Sequence, residues 1–123
     1  MAVPILKHGK YLIASIQSAL SDVEVLELRD DITERVGETR ARGVIVDVAG
    51  MDVIDSFVAR SLRTIALTTK LRGAETVIVG IRPDVAVAMV QFDMNLEPLR
   101  TALDLEEGLA VLDHSTGHSD GHD

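Results

Sequence analysis

Gly43-Val44-Ile45-Val46-Asp47-Val48-Ala49-Gly50-Met51-Asp52-Val53-Ile54-Asp55-Ser56-Phe57 is the stretch on which the fold turns. Its first half is a short apolar run bounded by glycines. The β-branched Val and Ile residues favour a strand covered on both faces. Met51–Asp55 then breaks the pattern as a loop. From Ser56 to about Arg72 the apolar residues Val58, Leu62, Ile65, Ala66 and Thr69 recur at helical spacing, and Gly73 stands where a helix C′ residue belongs. Glu75-Thr76-Val77-Ile78-Val79-Gly80 supplies a second buried strand. A strand, a helix and a strand in this order predict a parallel crossover with a right-handed connection.

The pattern extends in both directions. Downstream, Pro83 suits the first turn of a helix running from Asp84 to about Phe92, because its fixed φ is already helical. Asn95–Leu99 is expected to be a loop leading into a short edge strand, and Leu105–Leu112 a last helix. Upstream, Ser21-Asp22-Val23-Glu24 has capping-box spacing. Val25, Leu28, Ile32 and Val36 then line one face of a helix expected to end near Gly43. Ile5–Leu6 and Tyr11–Gln17 read as a hairpin broken at His8-Gly9-Lys10. The order is β-β-α-β-α-β-α-β-α. This predicts an α/β fold with a mixed, mostly parallel sheet of about five strands and about four helices. The domain is expected over residues 1–113, with a disordered tail at 114–123.

Composition narrows the function. The 123 residues suffice for one core, and 46% are hydrophobic, but only 2% are aromatic. The core must therefore be aliphatic. There is no cysteine, which removes disulfides, thiol nucleophiles and thiolate metal sites together. The N-terminal stretch MAVPILKHGKYLIAS lacks a signal-peptide layout, since Lys7, His8 and Lys10 interrupt it. No apolar run is long enough to span a bilayer. A soluble cytoplasmic protein is expected, with no membrane partner. The formal charge of −8 carries no basic footprint for nucleic acid. An acidic surface suits a basic protein partner, or solubility alone.

Ser56 falls at the N-cap or in the first turn of the predicted second helix, where several N–H groups lack intrahelical partners. Two readings follow. In one, Ser56 only caps the helix, a contribution of about 0.5–2 kcal/mol relative to Ala. In the other, it is a reversible phosphorylation site. A phosphoryl group adds a charge of about −1.5 to −2, and the helix end favours it by roughly 0.3–2 kcal/mol. Asp52 and Asp55, if close, oppose it: a unit-charge pair at about 5 Å and an effective dielectric near 40 gives roughly 1.7 kcal/mol. Modification would then leave the fold in place and change a surface read by a partner. Asp52, Asp55, Phe57 and Arg60 form the expected switch surface around Ser56.

Ile54-Asp55-Ser56-Phe57-Val58-Ala59-Arg60, together with Gly80-Ile81-Arg82-Pro83-Asp84-Val85-Ala86, resembles the STAS domains of the stressosome, with the SpoIIAA-like fold. The resemblance covers about residues 1–112 and is nearest to the single-domain RsbS-like members. RsbR-type paralogues carry an added N-terminal sensory domain and usually Thr where this chain has Ser56. The resemblance implies a non-enzymatic scaffold without cofactor or metal. It implies self-association as a dimer or in a large assembly, co-assembly with RsbR-type paralogues and sequestration of an RsbT-type serine/threonine kinase. It also implies phosphorylation at Ser56 and reversal by an RsbX-type phosphatase. The paralogues can carry a second acceptor hydroxyl after the Gly80–Pro83 turn. Val85-Ala86-Val87-Ala88-Met89-Val90 offers none, so one main site is expected. The alternative within the same family is a stand-alone anti-sigma factor antagonist of the SpoIIAA or RsbV type, binding an anti-sigma kinase.

Other candidates are weaker. Asp47 ends a predicted strand, as does the acceptor aspartate of response-regulator receivers. Ser15–Ala19 supplies no acidic pair, and the last strand has no lysine. Asp52 and Asp55 as an acid/base pair lack a nearby nucleophile or oxyanion site. Gly80–Asp84 opens a helix without the glycine spacing of a nucleotide loop. His114, His118 and His122 would share one face of a helix, but Gly117 and Gly121 oppose that helix and favour a solvated tail.

Overall fold

The first two strands pair because a two-residue turn, Gly9-Lys10, reverses the chain between them. The computed structural model describes residues 3–117 except 95 and 98. In it β1 (Ile5–His8) runs antiparallel to β2 (Tyr11–Ser15), with His8 opposite Tyr11. β2 then pairs in parallel with β3 (Gly43–Asp47), β3 with β4 (Glu75–Val79), and β4 with β5 (Arg100–Ala102). The spatial order of the sheet is the order of the chain. Helices α1 (Asp22–Thr39), α2 (Ser56–Leu71), α3 (Pro83–Gln91) and α4 (Leu105–Leu112) complete the α/β fold predicted above.

Strand alternation sorts the core into two layers. Leu12, Ala14, Val44, Val46 and Ile78 face one side, where they pack with Val25 and Ile32 of α1, Leu62 and Ile65 of α2, and Val85 and Met89 of α3. Tyr11, Ile45, Val77 and Val79 face the other side and meet Leu112 of α4. Each fully buried aliphatic side chain contributes about 1.5–3 kcal/mol by leaving water. The polar groups within the core are matched: the Thr69 and Thr76 hydroxyls lie 2.8 Å apart, and Thr69 also donates to the Ala66 carbonyl.

The Ser21–Glu24 capping box forms as the spacing predicts, with both reciprocal hydrogen bonds present. Several boundaries differ, among them that of β2, which ends at Ser15 and not at Gln17. Helix α1 ends at Thr39, where Arg40 turns left-handed, and not near Gly43. Gly43 opens β3 instead, because α4 packs so closely that a Cβ there would lie 2.8 Å from both Leu112 methyls. β1 extends two residues further than expected, to His8. At the C-terminus, residues 113–117 form a π-helical turn with Thr116 buried. The Tyr11 hydroxyl donates to Asp113 Oδ1 at 2.5 Å and lies 3.1 Å from Thr116 Oγ1. Residues 114–117, expected to begin a disordered tail, thus continue the fold as this turn, and the rest of the expected tail lies outside the described residues. His118 and His122 lie outside the described residues.

Candidate functional site

The chain leaves β3 through a turn set by its own side chain. Asp47 Oδ1 accepts from the Ala49 N–H at 2.9 Å, and the Met51 N–H donates to the Val48 carbonyl. Asp47 thus serves the turn. Met51 and Ile54 are then both buried, at 2% and 4% exposure, and act as two apolar pins. Between them Asp52 and Val53 stand in solvent. This places the start of α2 outside the carboxyl ends of the parallel strands, the usual position of a site in an open α/β sheet.

Asp55 is the N-cap of α2. Its backbone is extended, and Oδ1 accepts from the Val58 N–H at 2.9 Å. Ser56 is the first helical residue and is exposed. Its hydroxyl makes no hydrogen bond among the described residues. The two readings of Ser56 are thereby separated, because the capping task falls to Asp55. Phe57 is half-buried and packs on the core, which fixes the helix start. Arg60 lies one turn further along and is exposed.

The acidic surroundings are milder than the sequence predicts. Arg82 Nη1 and Asp52 Oδ1 lie 2.5 Å apart, and both side chains are well exposed. Such a pair contributes no more than about 1 kcal/mol to stability. It nevertheless offsets the Asp52 charge and ties the loop to the N-terminus of α3, where Pro83 takes the first helical position. The Asp55 carboxylate is likewise engaged with its helix.

All five expected residues gather at this end of the sheet. The structure adds a groove of about 400 Å³ beside Ser56, lined by Ala59, Arg60, Arg63, Phe92 and Met94. Arg63 was legible as i+7 from Ser56 on one helix. Phe92 and Met94 come from the far end of α3 and carry no local signal of this role. A wider depression of about 850 Å³ lies between α1 and α2 but does not include Ser56, and its mixed charges point to no reaction. No group of three His, Asp or Glu residues is placed to hold a metal among the described residues. No helix among them is long and apolar enough to cross a membrane.

The family model of the STAS domain matches residues 2–108. Among curated relatives, the RsbT co-antagonist protein RsbRD of Bacillus subtilis (strain 168) is 28% identical over 81 residues, which are 66% of this chain. The match spans only 29% of that relative's length. Among solved structures, a serine-to-glutamate variant of RsbS from Moorella thermoacetica has a TM-score of 0.79 and 30% identity. It covers 94% of this chain and 97% of its own. A chain from the stressosome, described as a signal integration and transduction hub, has a TM-score of 0.76 and 31% identity over 91% of this chain and 97% of its own. The fold, the strand order and these matches agree: the chain belongs to the STAS domain family and resembles the stressosome protein RsbS.

Proposed function

We propose that this chain is a non-enzymatic stressosome scaffold. It co-assembles with RsbR-type paralogues, holds an RsbT-type kinase and releases it on phosphorylation at Ser56. The observation that carries this reading is the Ser56 hydroxyl, exposed at the head of α2 and free because Asp55 makes the cap. The likeness to RsbS and to a stressosome chain supports it. So does the likeness to RsbRD, whose name makes it a co-antagonist of RsbT. A cytoplasmic location follows from the same reading.

The step is a phosphoryl transfer. Ser56 Oγ attacks the γ-phosphorus of ATP held by the kinase, and an Oγ–P bond forms. The bond from that phosphorus to the β-phosphate oxygen breaks, ADP leaves, and the hydroxyl proton passes to the kinase's base. The product carries a charge of about −1.5 to −2 at the favourable end of a helix dipole. Arg82 already offsets Asp52, so repulsion does not unfold the site. The modification changes what a partner meets, and the core beneath is untouched. An RsbX-type phosphatase resets the hydroxyl.

The test is incubation with ATP and an RsbT-type kinase, followed by mapping of the label in the chain and in Ser56→Ala. Label confined to the unsubstituted chain is the expected result. Equal label in both rejects the site. A Ser56→Asp variant is expected to fold normally and dock the kinase more weakly. A megadalton particle formed with a paralogue separates the scaffold from a stand-alone anti-sigma antagonist, which would remain a monomer or dimer.

A further inference from the structure

The groove beside Ser56 has a character unlike the rest of the chain. The protein carries a formal charge of −8, yet the groove presents two arginines, Arg60 and Arg63, against one aspartate, Asp93. Arg60 has no carboxylate partner among the described residues. The Arg63 Nε donates to the Glu97 carbonyl at 3.0 Å, which holds that side chain at the groove. On the opposite wall Phe92 is 72% exposed, although the chain has only two phenylalanines. The helix it ends is apolar beyond what it buries. Only Val85 and Met89 of α3 are buried, while Val87 and Val90 are exposed at 58% and 81%. A helix with apolar residues on its outer side is placed to meet a partner. Arginine beside an exposed aromatic is the composition of an interface centre.

We infer that the groove formed by Arg60, Arg63 and Phe92 is the docking site for an acidic segment, bearing an apolar residue, of the kinase that modifies Ser56. The inference rests on the reading of Ser56 as the phosphoacceptor. Ser56 lines this same groove, so a protein that delivers a phosphoryl group to its hydroxyl must cover the groove. The two arginines select carboxylates, and Phe92 supplies the apolar contact. The arrangement also sets how docking ends. Arg60 follows Ser56 by four residues and lies on the same side of α2, where side chains meet. A phosphoryl group on Ser56 is within reach of that guanidinium and pairs with it through charge-assisted hydrogen bonds. The arginine that held the kinase's carboxylate is then occupied from within the chain, and the groove repels the segment it had bound.

The experiment measures the affinity of the intact chain for the kinase that labels Ser56, by calorimetry at two salt concentrations. Arg60→Glu and Phe92→Ser are each expected to weaken binding by about tenfold or more. Arg60→Lys should retain most of the affinity. Lys70→Glu, the same charge change at the other end of α2, should bind as the unsubstituted chain does. All three positions are on the surface, and unchanged thermal unfolding confirms that each of the four variants folds. Binding within twofold for both Arg60→Glu and Phe92→Ser, with Ser56 still labelled, overturns the groove while leaving the phosphoacceptor in place. Equal weakening by Lys70→Glu also overturns it, since net charge would then suffice. Absence of label at Ser56 in the unsubstituted chain rejects the underlying reading, and the groove with it.

Discussion

Replacing Asp55 and Ser56 separately by alanine tests which of the two neighbours holds the head of α2. The Asp55 carboxylate accepts the Val58 N–H at 2.9 Å, while the Ser56 hydroxyl has no such partner among the described residues. Loss of an N-cap side chain costs about 1 kcal/mol. An exposed side chain without partners costs less than about 0.5 kcal/mol. Unfolding entropy near 2.1 cal/mol/K per residue gives about 260 cal/mol/K for 123 residues, so 1 kcal/mol lowers Tm by about 4 °C. Asp55→Ala is therefore expected to melt about 4 °C lower, and Ser56→Ala within about 2 °C of the unsubstituted chain. Circular dichroism at 222 nm, or calorimetry, reads both. A Ser56→Ala loss equal to that of Asp55→Ala would refute the reasoning, because the hydroxyl would then be part of the cap and not spare for modification.

Glu24 offers a pH-dependent test at the head of α1. The Ser21 backbone N–H that donates to it is the largest of several influences that hold its carboxyl down from 4.5 to about 2. A carboxylate depressed in the folded state stabilises at pH above its unfolded value, and that contribution is lost as pH falls from about 4.5 towards 2. Glu24→Gln should flatten this limb of an acid-unfolding curve, and an unaltered limb would contradict the capping box. Tyr11→Phe removes a hydroxyl that donates to Asp113 and meets Thr116, at a cost of about 1 kcal/mol. Hydrogen exchange should rise across residues 113–117 and change little in β3. Gly50→Ala places a Cβ 2.5–2.6 Å from the backbone of Ile16 and Gln17. Since backbone yields poorly, a loss of about 3 kcal/mol or more is expected by urea titration.

The fold was legible because each strand and helix carries its own local pattern. Val25, Leu28, Ile32 and Val36 mark the buried side of α1 by spacing alone, and all four are buried. The same holds for Val58, Leu62, Ile65, Ala66 and Thr69 of α2. What remained hidden depends on contacts distant in sequence. Gly43 looks like a helix terminator locally, but the methyls of Leu112 decide its role. The turn at 113–117 has no apolar period, and it is tied down by Tyr11, some hundred residues earlier. The site divides in the same way. Ser56, Asp52, Asp55, Phe57 and Arg60 sit in one segment, and chain order brings them together. Arg82, which offsets Asp52, and Phe92, which closes the groove, reach it only through the packing of α3.

Local charge, more than total charge, determines what one phosphoryl group can switch. The whole chain goes from −8 to about −10 on modification, a modest relative change. Within the groove, Arg60 and Arg63 against Asp93 sum to +1, and a phosphoryl group of about −1.5 to −2 makes the sum about −0.5 to −1. The sign inverts where the proposed acidic segment lies. An aspartate in place of Ser56 adds only one negative charge and brings the groove to neutrality. Ser56→Asp should therefore bind the kinase with an affinity between those of the unmodified and the phosphorylated chain, and raised salt should narrow the differences. If Ser56→Asp abolished binding as fully as phosphorylation at every salt concentration, bulk at the helix head, and not charge, would be the agent of release.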